Sequence, residues 1–301
     1  MIKAFNNINT LMAGLIFFKE KYASNIIKLE NDFNINVYGD IKTADKIIIS
    51  LHGVGGDKKS YHNISFCNSF MDEFKNDGAY ITFDMPGVGD NIDSNYYWGA
   101  SIDTMDVKLD DIVSYIDKNN KKCKIFIVAV SGSCYHLIAY LTDKSNSIKN
   151  KFKDRINHFY FVSPLGDINE CIDWMIENSP FSSYLSFYTT YSQIRYLIKN
   201  KKYNCLLNVK DSLFNIKNSN YLINNNENYT FNFEDKIKNC DVILSKHDTI
   251  TNYDITIKFL NKFDKFNIIH YNLGGHVGFF NFNLKKRKHE EHIINSIKQQ
   301  C

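Results

Sequence analysis

The sequence lacks an excess of charge of either sign. Its 301 residues carry 36 Lys and Arg against 33 Asp and Glu, which leaves a formal net charge of +3. So small an excess gives no general electrostatic attraction for nucleic acid or for an acidic membrane surface. We therefore predict no nucleic-acid partner and look for the function in local motifs.

Paired cysteines are also absent. The seven cysteines are scattered without a CxxC pair, as Cys67, Cys123, Cys134, Cys171, Cys205, Cys240 and Cys301. This spacing indicates neither a zinc knuckle nor a disulfide scaffold and is typical of reduced thiols. It predicts a cytoplasmic protein.

No apolar run is long enough to span a bilayer. The run at residues 11–18 is well below the roughly 20 residues that a transmembrane helix needs, so we expect no stable membrane insertion. Because Lys19, Glu20 and Lys21 follow it, where a signal peptide has a neutral cleavage region, we expect a helix packed on the body. A secretory signal peptide is the alternative.

From about residue 33 the sequence alternates short β-rich runs with longer amphipathic ones. Strands are predicted at 33–38, 46–51, 79–83, 124–130, 158–162, 241–245 and 267–272. Helices are predicted at 105–116, from 137 onward, at 249–263 and at 285–298. This alternation predicts an α/β fold, with a mostly parallel central sheet and helices on both faces.

The strongest local signal is a buried strand that runs directly into a serine. Residues 124–130 are followed by Ser131-Gly-Ser-Cys and then by a helical stretch, which is the setting of a nucleophile elbow. Strand and helix pass close together in such an elbow, so the residues two before and two after the nucleophile must be small. Ala129 and Ser133 meet this requirement.

Ser133 and Cys134 are the competing nucleophiles. A register centred on Ser133 places Tyr135 at the crossing, and one centred on Cys134 places His136 there, and both side chains are too large. The elbow departs from Gly-x-Ser-x-Gly at both flanks, so a strand–turn–helix without catalytic meaning is the alternative.

A glycine-rich turn after the strand at 46–51 is a candidate oxyanion hole. It reads His-Gly-Val-Gly-Gly from residue 52, and the backbone N–H groups of Val54 and Gly132 would supply the two donors that acyl transfer needs. A structural turn is one alternative and a phosphate loop is another. Lys58, however, stands where the phosphate loop has its second glycine.

The order of these motifs resembles that of the α/β-hydrolase superfamily. His52-Gly53, then Asp-Met-Pro-Gly-Val-Gly at 84–89, then the Ser131 elbow follow that family's order and spacing. The resemblance implies a catalytic acid in the turn after a late strand and a histidine in the loop after the last strand. It also implies that Asp84 supports its loop and has no catalytic role.

Asp248 and His276 occupy the positions that the resemblance implies for the acid and the histidine. With Ser131 they give the chain order Ser, Asp, His. A helix N-cap at Asp248 and a buried turn histidine at His276 are the structural alternatives. Asp167 is the runner-up acid.

Residues 166–235 are predicted to be an inserted helical cap on a core formed by 1–165 and 236–301. This segment falls between two predicted strands, is rich in aromatic residues and has no strand of comparable quality. Three of its aromatic residues are expected to line a substrate pocket: Trp174, Tyr184 and Tyr188. A small core of the cap itself is the alternative.

A Ser-His-Asp triad on this fold predicts a serine hydrolase that cleaves an ester or thioester through an acyl-enzyme. The expected partner is a small acyl ester or thioester, with an acyl carrier as a further candidate. No metal or organic cofactor is required. The alternatives are an acyltransferase, an acyl-carrier or coenzyme A thioesterase, and a non-catalytic binding protein with the same fold.

The run His-Glu-Glu-His at 289–292 is a last motif with possible chemistry. Its histidines are three residues apart instead of the four of a zinc-protease helix. Because it adjoins the basic run at 285–288, we expect a solvated helix surface.

Overall fold

The structure is a computed structural model that describes residues 19–30, 33–53, 56–85, 102–142, 155–167, 170–171, 174, 177–178, 239–263, 266–279 and 287–300. These residues form a sheet of eight strands in the order β1-β2-β4-β3-β5-β6-β7-β8. The strands are β1 (Ser24–Lys28), β2 (Asn34–Tyr38), β3 (Lys46–Leu51), β4 (Gly78–Thr82), β5 (Lys124–Val130), β6 (Ile156–Val162), β7 (Cys240–Ser245) and β8 (Asn267–Tyr271).

The sheet is mostly parallel, as predicted. Only the pairs β1·β2 and β2·β4 are antiparallel, and the neighbours from β4 to β8 all run in one direction. Every residue of β3 and β7 is buried. Strands covered on both faces are near-continuous apolar runs, which explains why they stand out in the sequence.

Helices cover both faces of the sheet. They are α1 (Tyr61–Glu73), α2 (Ile102–Asn119), α3 (Gly132–Thr142), α4 (Tyr253–Leu260) and α5 (Lys288–Gln299). Residues of α2, α3 and α4 share one apolar cluster with Ile47 and Ile49, whereas α1 and α5 share another with Ile48. Because successive side chains of a strand point to opposite faces, the two clusters lie on opposite sides of β3.

The predicted strands agree with the observed ones to within two residues at each end, but among the described elements strand β1 and helix α1 were not predicted. Strand β1 is an edge strand without an alternating apolar face, and its Ile26 is 67% exposed. Helix α1 buries polar His62 and Asn63 beside Phe66 and Phe70, so it has no clean apolar stripe.

Several predictions fall on parts of the chain that the structure does not describe. The run at 11–18 and most of the segment 166–235 are among them, so the N-terminal helix, the cap and the domain division stay predictions. None of the helices within the described ranges is both long enough and apolar enough to cross a membrane. The described cysteines are buried free thiols: Cys67, Cys123, Cys134, Cys171 and Cys240. The cytoplasmic location predicted from them stays a prediction.

Candidate active site

Three polar side chains meet beyond the carboxyl ends of three parallel strands. Ser131 directly follows β5, Asp248 lies three residues after β7, and His276 lies five residues after β8. The carboxyl ends of parallel strands share one edge of the sheet, which is where such folds place their sites. The parallel arrangement of these strands in the sheet therefore brings together residues that are far apart in sequence.

The three side chains form a continuous hydrogen-bonded chain. His276 Nδ1 lies 3.0 Å from Asp248 Oδ2 and 3.2 Å from Oδ1, and His276 Nε2 lies 2.9 Å from Ser131 Oγ. An ionised carboxylate only accepts, so Nδ1 donates to Asp248 and Nε2 of the neutral imidazole accepts from the serine hydroxyl. The hydroxyl proton of Ser131 is thus directed at a base.

Ser131 has the backbone conformation of a sharp elbow. Its φ is +57°, a region that non-glycine residues seldom adopt. Its N–H donates to Val162 O at 2.8 Å, and its own carbonyl accepts from Cys134 N at 3.0 Å as α3 begins. Strained residues of this kind persist where the surrounding structure holds them, and they cluster at functional sites.

Gly53 lets the turn after β3 pass directly against the serine. A Cβ at position 53 would stand 3.1 Å from Ser131 Cβ and 3.2 Å from Val130 O. These distances are tighter than ordinary van der Waals contact, so only glycine fits without displacement of its neighbours.

The competing nucleophiles have structural roles instead. Ser133 is buried, and its Oγ accepts from Val130 N at 2.8 Å while lying 2.9 Å from Val130 O, to which it can donate. Cys134 is buried with its Sγ 3.2 Å from Ala129 O, and burial raises the pKa of its thiol well above the ordinary range. Of these three residues, only Ser131 contacts His276.

The carboxylate of Asp248 is held from two sides. Its Oδ1 accepts from Ile250 N at 2.8 Å and from Thr251 N at 2.9 Å, while both of its oxygens face His276. The cap residue of α4 is Asn252, whose side chain accepts from Ile255 N. Asp248 therefore organises the turn before α4 and also orients the imidazole, but it is not the N-cap of that helix, so the alternative interpretation as an N-cap is wrong.

The runner-up acid has a different local role. Asp167 Oδ1 accepts from Glu170 N at 3.3 Å, and its carbonyl accepts from Cys171 N at 2.8 Å. These are contacts of a residue that begins a helical turn. Asp248 is thus the acid that hydrogen-bonds to His276.

The turn after β3 is held by two side chains that the sequence analysis singled out, His52 and Asp84. His52 Nδ1 donates to Gly53 O at 2.9 Å, and its Nε2 accepts from Met85 N at 3.0 Å. Asp84 accepts from Lys58 N at 2.8 Å, and Lys58 Nζ lies 3.4 Å from its other oxygen. Asp84 therefore supports the loop, and Lys58 faces this carboxylate, which is unfavourable for a phosphate loop.

Of the predicted oxyanion donors, Gly132 alone is described. It is the first residue of α3, so its N–H has no acceptor within its own helix. Val54 lies outside the described residues, and the oxyanion hole stays a prediction. Among the predicted cap residues, Trp174 is half-buried, whereas Tyr184 and Tyr188 lie outside the described residues.

The prediction of a solvated helix surface at 289–292 is wrong. His289 and Glu290 are only 4% and 3% exposed, and both precede buried isoleucines, Ile293 and Ile294, by four residues. Residues four apart share a helix face, so His289 and Glu290 point inward with the isoleucines. That spacing was visible in the sequence and could have predicted their burial.

The basic run before α5 is also partly buried. Arg287 is 1% exposed, its guanidinium lies 4.9 Å from the centre of the Tyr61 ring, and its Nη1 lies 3.7 Å from Glu290 Oε1. Ser69 donates to Glu290 Oε2 at 3.0 Å. These contacts attach α5 to α1.

His292 takes part in a second carboxylate–histidine group at the opposite end of β7. Its Nε2 lies 3.0 Å from Asp241 Oδ2, while Asn267 donates to Asp241 Oδ1 at 2.8 Å and His158 Nε2 lies 3.4 Å from the same oxygen. Burial opposes ionisation of Asp241, but these hydrogen bonds outweigh burial and hold its pKa well below the ordinary range. Within the described part of the chain, no group of three or more His, Cys, Asp or Glu residues could hold a metal ion.

The mostly parallel eight-stranded sheet with helices on both faces has the α/β-hydrolase fold, which confirms the predicted fold. Solved structures that share it include an esterase of Pyrococcus furiosus, at 14% identity over 93% of this chain and 91% of that one, with a TM-score of 0.57. The Francisella virulence factor BioJ shares 15% identity over 99% and 91%, with a TM-score of 0.56. Est1E of Butyrivibrio proteoclasticus with ferulic acid bound shares 14% over 91% and 96%, with a TM-score of 0.52.

No protein-family model matches this chain, and neither does any curated protein sequence. At identities of 14% and 15%, the likeness to solved structures establishes the fold alone.

Proposed function

We propose that this protein is a serine hydrolase that cleaves a carboxylic ester or thioester through an acyl-enzyme. The observation that carries the proposal is the hydrogen-bonded chain from Asp248 through His276 to Ser131, with the serine on a strained elbow. A hydroxyl that donates to a neutral imidazole, itself oriented by a carboxylate, is the arrangement that activates serine for attack on a carbonyl carbon.

The first half of the reaction forms the acyl-enzyme. His276 Nε2 takes the proton of Ser131 Oγ as the oxygen attacks the substrate carbonyl, and Asp248 stabilises the imidazolium that results. The N–H groups of Val54 and Gly132 are the proposed donors to the oxyanion. Collapse of the tetrahedral intermediate expels the alcohol or thiol, which leaves with the proton from His276.

The second half releases the acid. Water gives a proton to His276 Nε2 as it attacks the acyl carbon, and the resulting intermediate collapses with return of that proton to Ser131 Oγ. An acyltransferase would differ only in that an alcohol or amine replaces water in this step.

The comparisons support an ester as the substrate. One protein with this fold is named as an esterase, and another has ferulic acid bound, which is an aromatic carboxylic acid. The proposed substrates are therefore small acyl esters or thioesters, with the predicted cap aromatics Trp174, Tyr184 and Tyr188 as lining residues. An acyl carrier as partner and a cytoplasmic location stay predictions.

A fluorophosphonate probe tests the proposal, because it labels only an activated serine. We expect labelling of the wild-type protein and of Ser133→Ala, and none of Ser131→Ala. A panel of p-nitrophenyl esters and acyl thioesters of varied chain length then defines the substrate, and product analysis with an added alcohol distinguishes transfer from hydrolysis. If the folded wild-type protein were neither labelled nor active on any of these substrates, a non-catalytic binding protein would be the better description.

A further inference from the structure

The carboxyl end of β6 supports two members of the site through adjacent residues. Val162 O accepts the N–H of Ser131 at 2.8 Å. The next residue, Ser163, accepts the N–H of Val277 on its Oγ at 3.3 Å. The loop of the serine and the loop of His276 are therefore both hydrogen-bonded to adjacent residues at one strand end.

Ser163 adopts a conformation that glycine would adopt at no cost. Its φ is +49°, and its N–H donates to Ile243 O at 2.9 Å, which extends the β6·β7 ladder. Serine at this position has a hydroxyl that glycine lacks. Because Ser163 is 0% exposed, this hydroxyl cannot reach a substrate and acts only on its protein neighbours.

The loop that carries His276 needs such support. Gly275, Val277 and Phe279 all have positive φ, of 58°, 58° and 47°. For a β-branched residue such as Val277 this is a true outlier, and it persists only where neighbouring groups hold the backbone in place. Among the contacts that hold it are the bond from Val277 N to Ser163 Oγ and the bond from Phe279 N to Gly274 O at 2.8 Å.

We infer that Ser163 is a positioning residue for His276, acting through the backbone N–H of Val277. This inference rests on the proposed function, since it assigns Ser163 the task of keeping the imidazole in line between Asp248 and Ser131. Catalytic groups must be held within a fraction of an ångström, and loss of that precision lowers the rate of the chemical step more than it weakens substrate binding.

The test compares Ser163→Ala and Ser163→Gly with Ser245→Ala. Both substitutions at 163 remove the hydroxyl, but glycine relieves the positive φ, so a loss of activity in the glycine variant does not come from backbone strain. Ser245 is the matched control, because it is a buried serine at the end of the neighbouring strand β7 whose Oγ has no partner among the described residues.

For both Ser163 variants we expect kcat for ester hydrolysis to fall about tenfold to a hundredfold, with KM changed by less than about twofold. Ser245→Ala should retain the wild-type kcat. A looser contact with Asp248 stabilises the imidazolium less, so the acid limb of the kcat/KM profile should also move to lower pH in the Ser163 variants. Wild-type kcat and an unmoved acid limb in either folded variant would overturn the inference.

If the protein is not a serine hydrolase, the experiment gives a different result. In that case wild type and Ser131→Ala would be equally inactive, and the positioning role would be read from the NMR resonance of the His276 Nδ1 proton, which reports its hydrogen bond to Asp248. A changed resonance of this proton in both Ser163 variants, but not in Ser245→Ala, would support the role, and an unchanged resonance would overturn it.

Discussion

Two carboxylate–histidine groups flank the same strand, and they differ in what the histidine touches next. Asp248 lies just after the carboxyl end of β7 and Asp241 near its amino end, and each has an oxygen 3.0 Å from a histidine nitrogen. At the carboxyl end the imidazole continues to Ser131 Oγ. At the amino end Asp241 also accepts from Asn267, and a second histidine lies near it.

The comparison indicates that an Asp–His contact alone does not define the candidate active site. What distinguishes the carboxyl end is a third residue, Ser131, at a strained φ of +57° with its hydroxyl on the imidazole. The group at Asp241 links β6, β7, β8 and α5, so its effect is expected on stability. Substitutions in the two groups should therefore change different properties, activity at the carboxyl end of β7 and stability at its amino end.

The largest expected effect separates the two histidines. His276→Ala removes the proposed general base, so kcat/KM for an ester should fall by roughly 10⁴-fold or more. His292→Ala, the matched substitution at the other end of β7, should retain activity within a fewfold. Steady-state kinetics on a p-nitrophenyl ester measure both, and similar losses in the two variants would contradict the distinction.

The buried His136 offers a further contrast, because it has no carboxylate partner in the described structure. His136 is 5% exposed, and burial lowers its pKa to about 4. In the unfolded chain it protonates near pH 6.5, so its contribution to stability is full above that pH and is lost as the pH falls. Between pH 6.5 and pH 4 this loss should total about 3 kcal/mol of unfolding free energy.

Urea unfolding of the wild type and of His136→Leu over this pH range measures the effect. The leucine variant should lose less stability on acidification than the wild type. His247→Leu, at an exposed position, serves as the control and should follow the wild-type pH dependence. A His136→Leu profile parallel to that of the wild type would rule out the proposed cause.

Asp241→Asn should destabilise the protein without loss of activity. Loss of the charge weakens the hydrogen bonds from His292 and Asn267, so unfolding free energy at pH 7 should fall by about 2 kcal/mol. Because the folded-state pKa of Asp241 is lowered, this stabilisation is present above the ordinary Asp pKa and is lost as the pH falls below it. The gap between variant and wild type should therefore narrow in acid.

The control for Asp241→Asn is Asp45→Asn, at an exposed position, which should change the unfolding free energy little. Chemical denaturation at several pH values, with kinetics on the same samples, tests both statements. A loss of activity in Asp241→Asn at full stability would assign that end of β7 a part in the reaction.

The smallest expected effect concerns the close approach of Gly53 to the nucleophile. Gly53→Ala would place a methyl group 3.1 Å from Ser131 Cβ, so the serine must shift by a few tenths of an ångström. We expect kcat to fall by about tenfold with little change in the unfolding free energy. Wild-type kcat in this variant would show that the serine tolerates the displacement.

The strands and the chain order of the candidate site could be predicted because their signals are local. Strands β3 and β5 are isoleucine- and valine-rich runs whose observed bounds equal the predicted ones. Helix α1 could not be predicted in this way, because its buried Asn63 is satisfied by partners on other elements, Ser50 of β3 and Thr82 of β4. No periodicity within the helix reports those partners.

The sequence by itself determined the alternation of strands and helices, and with it the position of Ser131, Asp248 and His276 directly beyond buried strands. These features depend on the spacing of apolar residues along a short stretch of chain. Only the tertiary structure decided that Asp248, and not Asp167, hydrogen-bonds to His276, and that Ser69 of α1 donates to Glu290 of α5. Such choices depend on distances between side chains from separate elements, which exist only once the sheet and its helices have packed.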